Sequence, residues 1–287
     1  MPGTLIGPAE LARSLHREDW AIVDCRFDLA RPGWGGAEFA SGHIPGAVYA
    51  HLDRDLSGPL ATGSGRHPLP TPAALAATLA GFGIGPGTQV VAYDQGNGAI
   101  AARLWWLVRW AGHQAVAVLD GGFAAWRRSG LPIEAGTQIR PRAGIEVAPD
   151  DRRVVGAAQL EKMIADGTLA RGDSALVDAR GADRFAGENE SLDPVAGHIP
   201  GARNHPFASN LDADGAFLPP QELRQRWLRR LGHTAAASSI MMCGSGVTAC
   251  HNLLALEIAG LSGARLYPGS WSEWITDASR PIARGAD

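Results

Sequence analysis

Cysteine is scarce in this chain: three among 287 residues, Cys25, Cys243 and Cys250. An odd number without close pairing argues against a disulfide scaffold and fits a reducing compartment. No window approaches the roughly 20 consecutive apolar residues of a membrane span. Residues 1–10 show no basic segment followed by an apolar core, so no secretory leader is expected. The cytoplasm is the expected location. Charge of one sign is not in excess either. A net charge of −3 makes no electrostatic case for nucleic acid or an anionic membrane as partner. No Gly-Lys-Ser/Thr exists, which excludes a P-loop. No paired Cys or His spacing converges on a zinc site, so no metal is expected. What remains is an ordinary globular composition, 45% hydrophobic and 19% charged. Its length suffices for two domains, each with its own core.

The chain carries one plan twice. Gly42-His43-Ile44-Pro45-Gly46-Ala47 recurs as Gly197-His198-Ile199-Pro200-Gly201-Ala202, and Val23-Asp24-Cys25-Arg26 recurs as Val177-Asp178-Ala179-Arg180. Gly121-Gly122-Phe123-Ala124-Ala125-Trp126 is matched by Gly269-Ser270-Trp271-Ser272-Glu273-Trp274. Three matches in order, with slowly drifting offsets, mean a duplicated domain; the period is far too long for a solenoid. The Gly-, Pro- and charge-rich stretch between the copies reads as a linker. The expected division is 1–135, a linker at 136–152, and 153–287. Each copy alternates strands and helices. In the first, strands are expected near 21–24, 89–93 and 115–119, with helices near 8–17, 71–79, 98–110 and 123–128. In the second, strands are expected near 175–178, 238–242 and 264–267, with helices near 160–165, 220–231, 247–259 and 270–275. Such alternation predicts an α/β fold, a mostly parallel sheet in each domain flanked by helices on both faces.

One segment carries the chemistry. The strand pattern ending at Met242 runs into Cys243-Gly244-Ser245-Gly246-Val247-Thr248, and a helical pattern follows. A cysteine over the first turn of a helix meets unpaired N–H groups and the positive end of the dipole. That setting favours an exposed thiolate, the nucleophilic form. Gly244 and Gly246 let successive amides turn toward one centre. In the first copy Asp94 stands opposite Cys243; it cannot act as a sulfur nucleophile but can cap a helix. Cys25 and Cys250 read as core residues. A cysteine phosphatase would need an arginine to close the loop on phosphate. Thr248 and Ala249 occupy that place, and no arginine follows until Arg265.

These motifs resemble those of the tandem rhodanese-like sulfurtransferases along nearly the whole chain. The resemblance implies two rhodanese-like domains, the first catalytically inactive with Asp94 in place of Cys and the second catalytic. It implies a Cys243 persulfide, a small-molecule sulfur donor, and no metal or organic cofactor. The acceptor would be a thiol, small or on a thioredoxin-like protein, or cyanide. Cys243-Gly244-Ser245-Gly246-Val247-Thr248 is similar to the loop of the 3-mercaptopyruvate branch, while the thiosulfate branch carries basic side chains there. The resemblance then makes Ser245 catalytic beside Cys243, with Gly244, Gly246, Val247 and Thr248 as the anion-holding loop. It puts Arg184 at the donor and His43 in a relay with Ser245; Arg180, nearby at the end of an expected strand, is the second candidate for the donor. Members of that branch carry a second arginine shortly before the second Gly-His-Ile-Pro-Gly. Here residues 188–194 contain none. Arg66 and His67, in Gly63-Ser64-Gly65-Arg66-His67-Pro68, are further basic candidates for the cleft. A thiosulfate donor, and a sulfur-carrying or redox-sensing module without turnover, are the alternatives.

Overall fold

Strands inside a parallel sheet are covered on both faces, so they appear in sequence as unbroken apolar runs rather than alternating ones. The two repeats contain such runs, and the computed structural model, which describes residues 3–286, folds each into a parallel sheet. The first compact unit comprises residues 3–58, Leu69–Asp150 and Asp212–Phe217. Its strands are β1 (Leu5–Ile6), β2 (Trp20–Asp24), β3 (Val48–Tyr49), β4 (Gln89–Tyr93) and β5 (Val116–Leu119). Its helices are α1 (Pro8–Ala12), α2 (Trp34–Ser41), α3 (Leu52–Asp55), α4 (Pro72–Gly81), α5 (Ala101–Trp110) and α6 (Gly122–Arg128). The strand order is β1-β5-β4-β2-β3, every pair parallel. Strands β2, β4 and β5 are buried at every residue. Helix α4 starts where a Thr-Pro pair predicts it: Thr71 Oγ1 accepts from Ala74 N–H at 3.2 Å and Pro72 is the first helical residue.

The second unit comprises Pro59–Pro68, Asp151–Leu211 and residues 218–286. It contains α7 (Ala157–Ala165), α8 (Thr168–Arg171), β6 (Ala175–Asp178), α9 (Ala182–Ala186), β7 (Ala202–Asn204), α10 (Pro220–Leu231), β8 (Ser239–Met242), α11 (Thr248–Ile258), β9 (Arg265–Leu266) and α12 (Ser270–Trp274). The order β7-β6-β8-β9 is again parallel throughout. β8 pairs with β6 from Ala175↔Ser239 to Asp178↔Met242, so Cys243 follows directly at the C-terminal edge of the sheet. That edge is where open α/β sheets bind ligands.

Several element ends differ from expectation for local reasons. Helix α1 stops at Ala12 instead of Arg17, because Ser14 and Arg17 bond to carbonyls three residues back and form turns. Helix α5 starts at Ala101 instead of Gly98, because the loop before it wraps around the Asp94 carboxylate. Helix α11 starts at Thr248, with Val247 as its N-cap. The stretch 136–150 has no helix or strand. Its backbone bonds to Ala80, Trp110 and Ala111 through Ala143, Asp150 and Ala148.

Candidate active site

Where the sheet ends, the loop from Cys243 to Val247 is tied down by backbone. Trp271 N–H donates to the Cys243 carbonyl at 3.0 Å, and Ser272 N–H to the Gly244 carbonyl at 2.9 Å. Ser270 Oγ accepts from Cys243 N–H at 3.0 Å while donating to the Tyr267 carbonyl at 2.9 Å. Gly246 has φ +76, and a Cβ there would collide with the Pro268 carbonyl, so glycine is required twice over. This turn aims the Gly246 N–H at Cys243 Sγ, 3.1 Å away. Gly246 is therefore the loop amide placed on the sulfur. The expectation of an exposed thiol requires correction: Cys243 is 2% exposed, because the loop folds back over its own first residue to make that contact. Gly244, Ser245 and Val247 are buried too, and Thr248 is half-buried.

The first unit shows what this loop does with a carboxylate. Asp94 Oδ1 accepts from the N–H groups of Gly96 and Gly98, each at 3.0 Å, and Oδ2 from Ile100 at 2.9 Å and Ala101 at 3.2 Å. Four amides converge on one anion at a strand-to-helix junction. The Cys25 thiol, by contrast, is fully buried, and burial together with Asp24, Asp94 and Asp55 pushes its pKa well up. Cys250 lies in α11 and donates its thiol to the Gly246 carbonyl at 3.3 Å.

Ser245 Oγ is hydrogen-bonded to a histidine, but to His67 rather than His43. The His67 Nδ1 to Oγ distance is 2.7 Å, and both residues are buried. His43 is fully buried inside the first unit. Its ring stacks on Phe39 at 4.0 Å and its Nδ1 bonds to the Phe39 carbonyl at 2.8 Å. His198 repeats this in the second unit, stacked on Phe185 at 3.8 Å with Nδ1 2.8 Å from the Phe185 carbonyl. A contact present in both copies, one of which lacks the cysteine, belongs to the fold. The assignment of His43 to the relay is therefore withdrawn on packing grounds.

Arg180 falls by the same argument. It pairs bidentately with Asp178, at 2.7 Å through Nη2, and donates to the Gly197 carbonyl at 2.8 Å. Arg26 in the first unit makes the same pair with Asp24 at 2.7 Å and reaches the Gly42 carbonyl at 2.7 Å. Each guanidinium also covers an aromatic ring, Trp271 for Arg180 and Phe123 for Arg26. Burial opposes the Arg180 charge, yet Asp178, Glu190 and Cys243 together raise its pKa. Arg180 thus serves as a buried counter-charge whose donors are committed.

Arg184 is differently placed, on α9 and partly exposed. A Cβ built on Gly244 would lie 3.6 and 3.8 Å from its Nη2 and Nη1, and 3.3 Å from Nη2 of Arg66. Two guanidinium groups therefore stand beside the residue that follows the cysteine. Glu190 holds Arg184 at 2.8 Å, and Asp193 bridges both arginines. Burial alone would raise the Glu190 pKa, but Arg184 and the amides of Leu192 and Asp193 hold it below the usual carboxylate range. The Arg66-His67 dipeptide is placed by Arg66 N–H donating to Ser272 Oγ at 2.9 Å. Its position follows from contacts distant in sequence, which no local spacing encodes. Ser270 stands opposite Gly122 in the repeat, and both have φ +54. Among the described residues, no group of three or more His, Cys, Asp or Glu is arranged to hold a metal ion.

A model of the rhodanese-like domain matches residues 7–129 and again 156–277. A Pseudomonas aeruginosa protein named as a probable 3-mercaptopyruvate sulfurtransferase is 48% identical over 284 residues, 98% of each chain. A Mycobacterium tuberculosis protein named for thiosulfate sulfurtransferase activity is 43% identical over 98% of this chain and 97% of its own. The solved 3-mercaptopyruvate sulfurtransferase from Leishmania major superposes with a TM-score of 0.83 at 32% identity, over 96% of this chain and 75% of that one.

Proposed function

The chain belongs to the rhodanese-like sulfurtransferases, and from that premise we propose that it takes sulfur from 3-mercaptopyruvate through a persulfide on Cys243. The second repeat is then the catalytic domain and the first, with Asp94 at the matching place, is inactive. In the first half-reaction the Cys243 thiolate attacks the donor sulfur. The new S–S bond forms as the C–S bond breaks, and its electron pair leaves on carbon as the enolate of pyruvate. The enolate must then take a proton. In the second half-reaction a thiolate acceptor or cyanide attacks the outer sulfur and Cys243 is released. This is covalent, two-step catalysis. Gly246 N–H, donating to Sγ at 3.1 Å, supports the thiolate leaving group of that second step.

The observation that carries this reading is the 2.7 Å hydrogen bond between His67 and Ser245, two residues after Cys243. Breaking a C–S bond to carbon needs a proton donor at the site. Thiosulfate needs none, because sulfite departs as a stable anion. The thiosulfate reading has its own support in the named Mycobacterium tuberculosis relative. Steady-state kinetics with both donors decide between them. His67→Ala should lower kcat with 3-mercaptopyruvate on the order of 100-fold, and leave thiosulfate turnover much less changed. Mass spectrometry after donor exposure should show one added sulfur on Cys243. Cys243→Ser should abolish turnover and Cys250→Ser should not. Persulfide formation without repeated turnover would favour a sulfur-carrying or redox-sensing role. The acceptor we favour is a thiol, small or on a thioredoxin-like protein. Three free cysteines support the cytoplasm as its place of work, and no described helix is long and apolar enough to cross a membrane.

A further inference from the structure

Arginine is missing from residues 188–194, the place of the second arginine in the branch that the sequence resembles. The structure offers a replacement from another part of the same unit. Arg66 Nη2 lies 3.3 Å from where a Cβ on Gly244 would be, and Arg184 Nη2 lies 3.6 Å from it. The Arg66 side chain is 29% exposed and that of Arg184 20%, so both can meet a ligand. Between them lies Asp193, with a side chain only 2% exposed. Its Oδ1 is 2.6 Å from Arg66 Nη1 and its Oδ2 is 3.2 Å from Arg184 Nη2. Glu190, equally buried, takes the Nε side of Arg184. Arg66 Nη2 and Arg184 Nη1 are left on the side of Gly244. Two positive charges at this site are thus matched by two buried carboxylates, and no positive surplus faces the donor.

We propose that Arg66 acts with Arg184 as the pair of guanidiniums that holds the anionic end of the sulfur donor, and that Asp193 makes the pair selective for a singly charged anion. The inference rests on the proposed sulfurtransferase reading and adds to it the residue that sets donor charge. A monocarboxylate gains the two guanidinium contacts and meets the Asp193 charge once. A dianion such as thiosulfate doubles both the attraction and the repulsion, so at a charge-balanced site its second charge gains no net attraction while it costs more to desolvate. The bridging carboxylate also holds both guanidiniums in one orientation before the donor arrives, which limits the entropy lost on binding.

The test uses the full-length protein and two donors, with specificity constants compared as a ratio. Asp193→Asn keeps the shape and removes the charge. It should raise kcat/KM for thiosulfate relative to 3-mercaptopyruvate by about tenfold or more. Arg66→Gln should move the ratio in the opposite direction. It should also raise KM for 3-mercaptopyruvate at little change in kcat, with Arg66→Lys recovering part of the loss. Circular dichroism and thermal melting report folding; if Asp193→Asn does not fold, the Arg66 pair of variants carries the test alone. Cys243 persulfide is measured by mass in the same samples. Persulfide in wild type and variants with an unshifted donor ratio, or an unchanged KM in Arg66→Gln, overturns the inference and leaves the sulfur-transfer reading standing. Absence of persulfide from both donors in wild type overturns that reading and the inference with it.

Discussion

Ser270 is the one described non-glycine residue with positive φ, at +54. A left-handed conformation of this kind costs an L-residue roughly 1–2 kcal/mol. Gly122, its counterpart in the first repeat, holds the same angle without that cost and offers no hydroxyl. The hydroxyl is what the second repeat gains: it accepts the Cys243 N–H and passes a bond on to the Tyr267 carbonyl. Strain in the backbone is thus exchanged for a fixed nucleophile. Two substitutions separate the terms. Ser270→Ala keeps the strained angle and leaves a buried N–H unpaired, which should lower unfolding free energy by roughly 1–3 kcal/mol. Ser270→Gly also unpairs the N–H but relieves the angle, so its stability should fall much less. Both should slow persulfide formation on Cys243. Urea unfolding and a single-turnover assay provide the readouts; an alanine variant as stable as wild type would count against the exchange.

The strand-loop-helix element appears twice with different contents. In the first unit four amides close on Asp94; in the second Gly246 N–H points at Cys243 Sγ. Charge-assisted bonds to a buried carboxylate are the stronger kind. Asp94→Ala should therefore cost at least about 3 kcal/mol and speed hydrogen exchange at the amides of Gly96, Gly98, Ile100 and Ala101. An unchanged exchange pattern would mean that this cradle does not depend on its anion. Much of the element was legible in sequence, because Cys-Gly-x-Gly after an apolar run specifies a turn, an anion-binding junction and a helix start. Its surroundings were less so. Arg180 and His43 looked chemical because they are polar and near the motifs, yet the matching Arg26 and His198 show them to be parts of the fold. Comparing the repeats residue by residue could have shown this, since Asp24-Cys25-Arg26 and Asp178-Ala179-Arg180 differ only between the pair. His67 could not be placed in that way: its partner Ser245 is 178 residues away.

At the scale of the chain, duplication was legible because three motifs recur in order, but the compact units are not contiguous. Residues 59–68 fold with the second unit and 212–217 with the first. Such groupings depend on tertiary contacts that no local pattern encodes, and one of them delivers Arg66 and His67 to the cysteine loop. The second unit also buries a polar chain that ends on α11. His205 Nε2 is 3.0 Å from Asn210 Oδ1, Asn210 Nδ2 donates to Asn252 Oδ1 at 2.7 Å, and Asn252 on α11 donates back to the His205 carbonyl at 3.0 Å. With Oδ1 as acceptor, His205 Nε2 carries the proton, and the ring lies 4.2 Å from Trp227. Burial lowers the His205 pKa from 6.5 to about 4, with the positive charges of Arg230 and Arg226 acting in the same direction. Between these values the unfolded chain binds a proton that the folded chain refuses, so stability rises with pH across the window. The contribution is complete above about pH 6.5 and lost as pH falls toward 4, a span worth roughly 3 kcal/mol. His205→Gln keeps an amide donor for Asn210 and removes the titration. Its unfolding free energy should accordingly vary less between pH 4 and 6.5 than that of the wild type. Equal slopes in the two proteins would show that the acid sensitivity arises elsewhere.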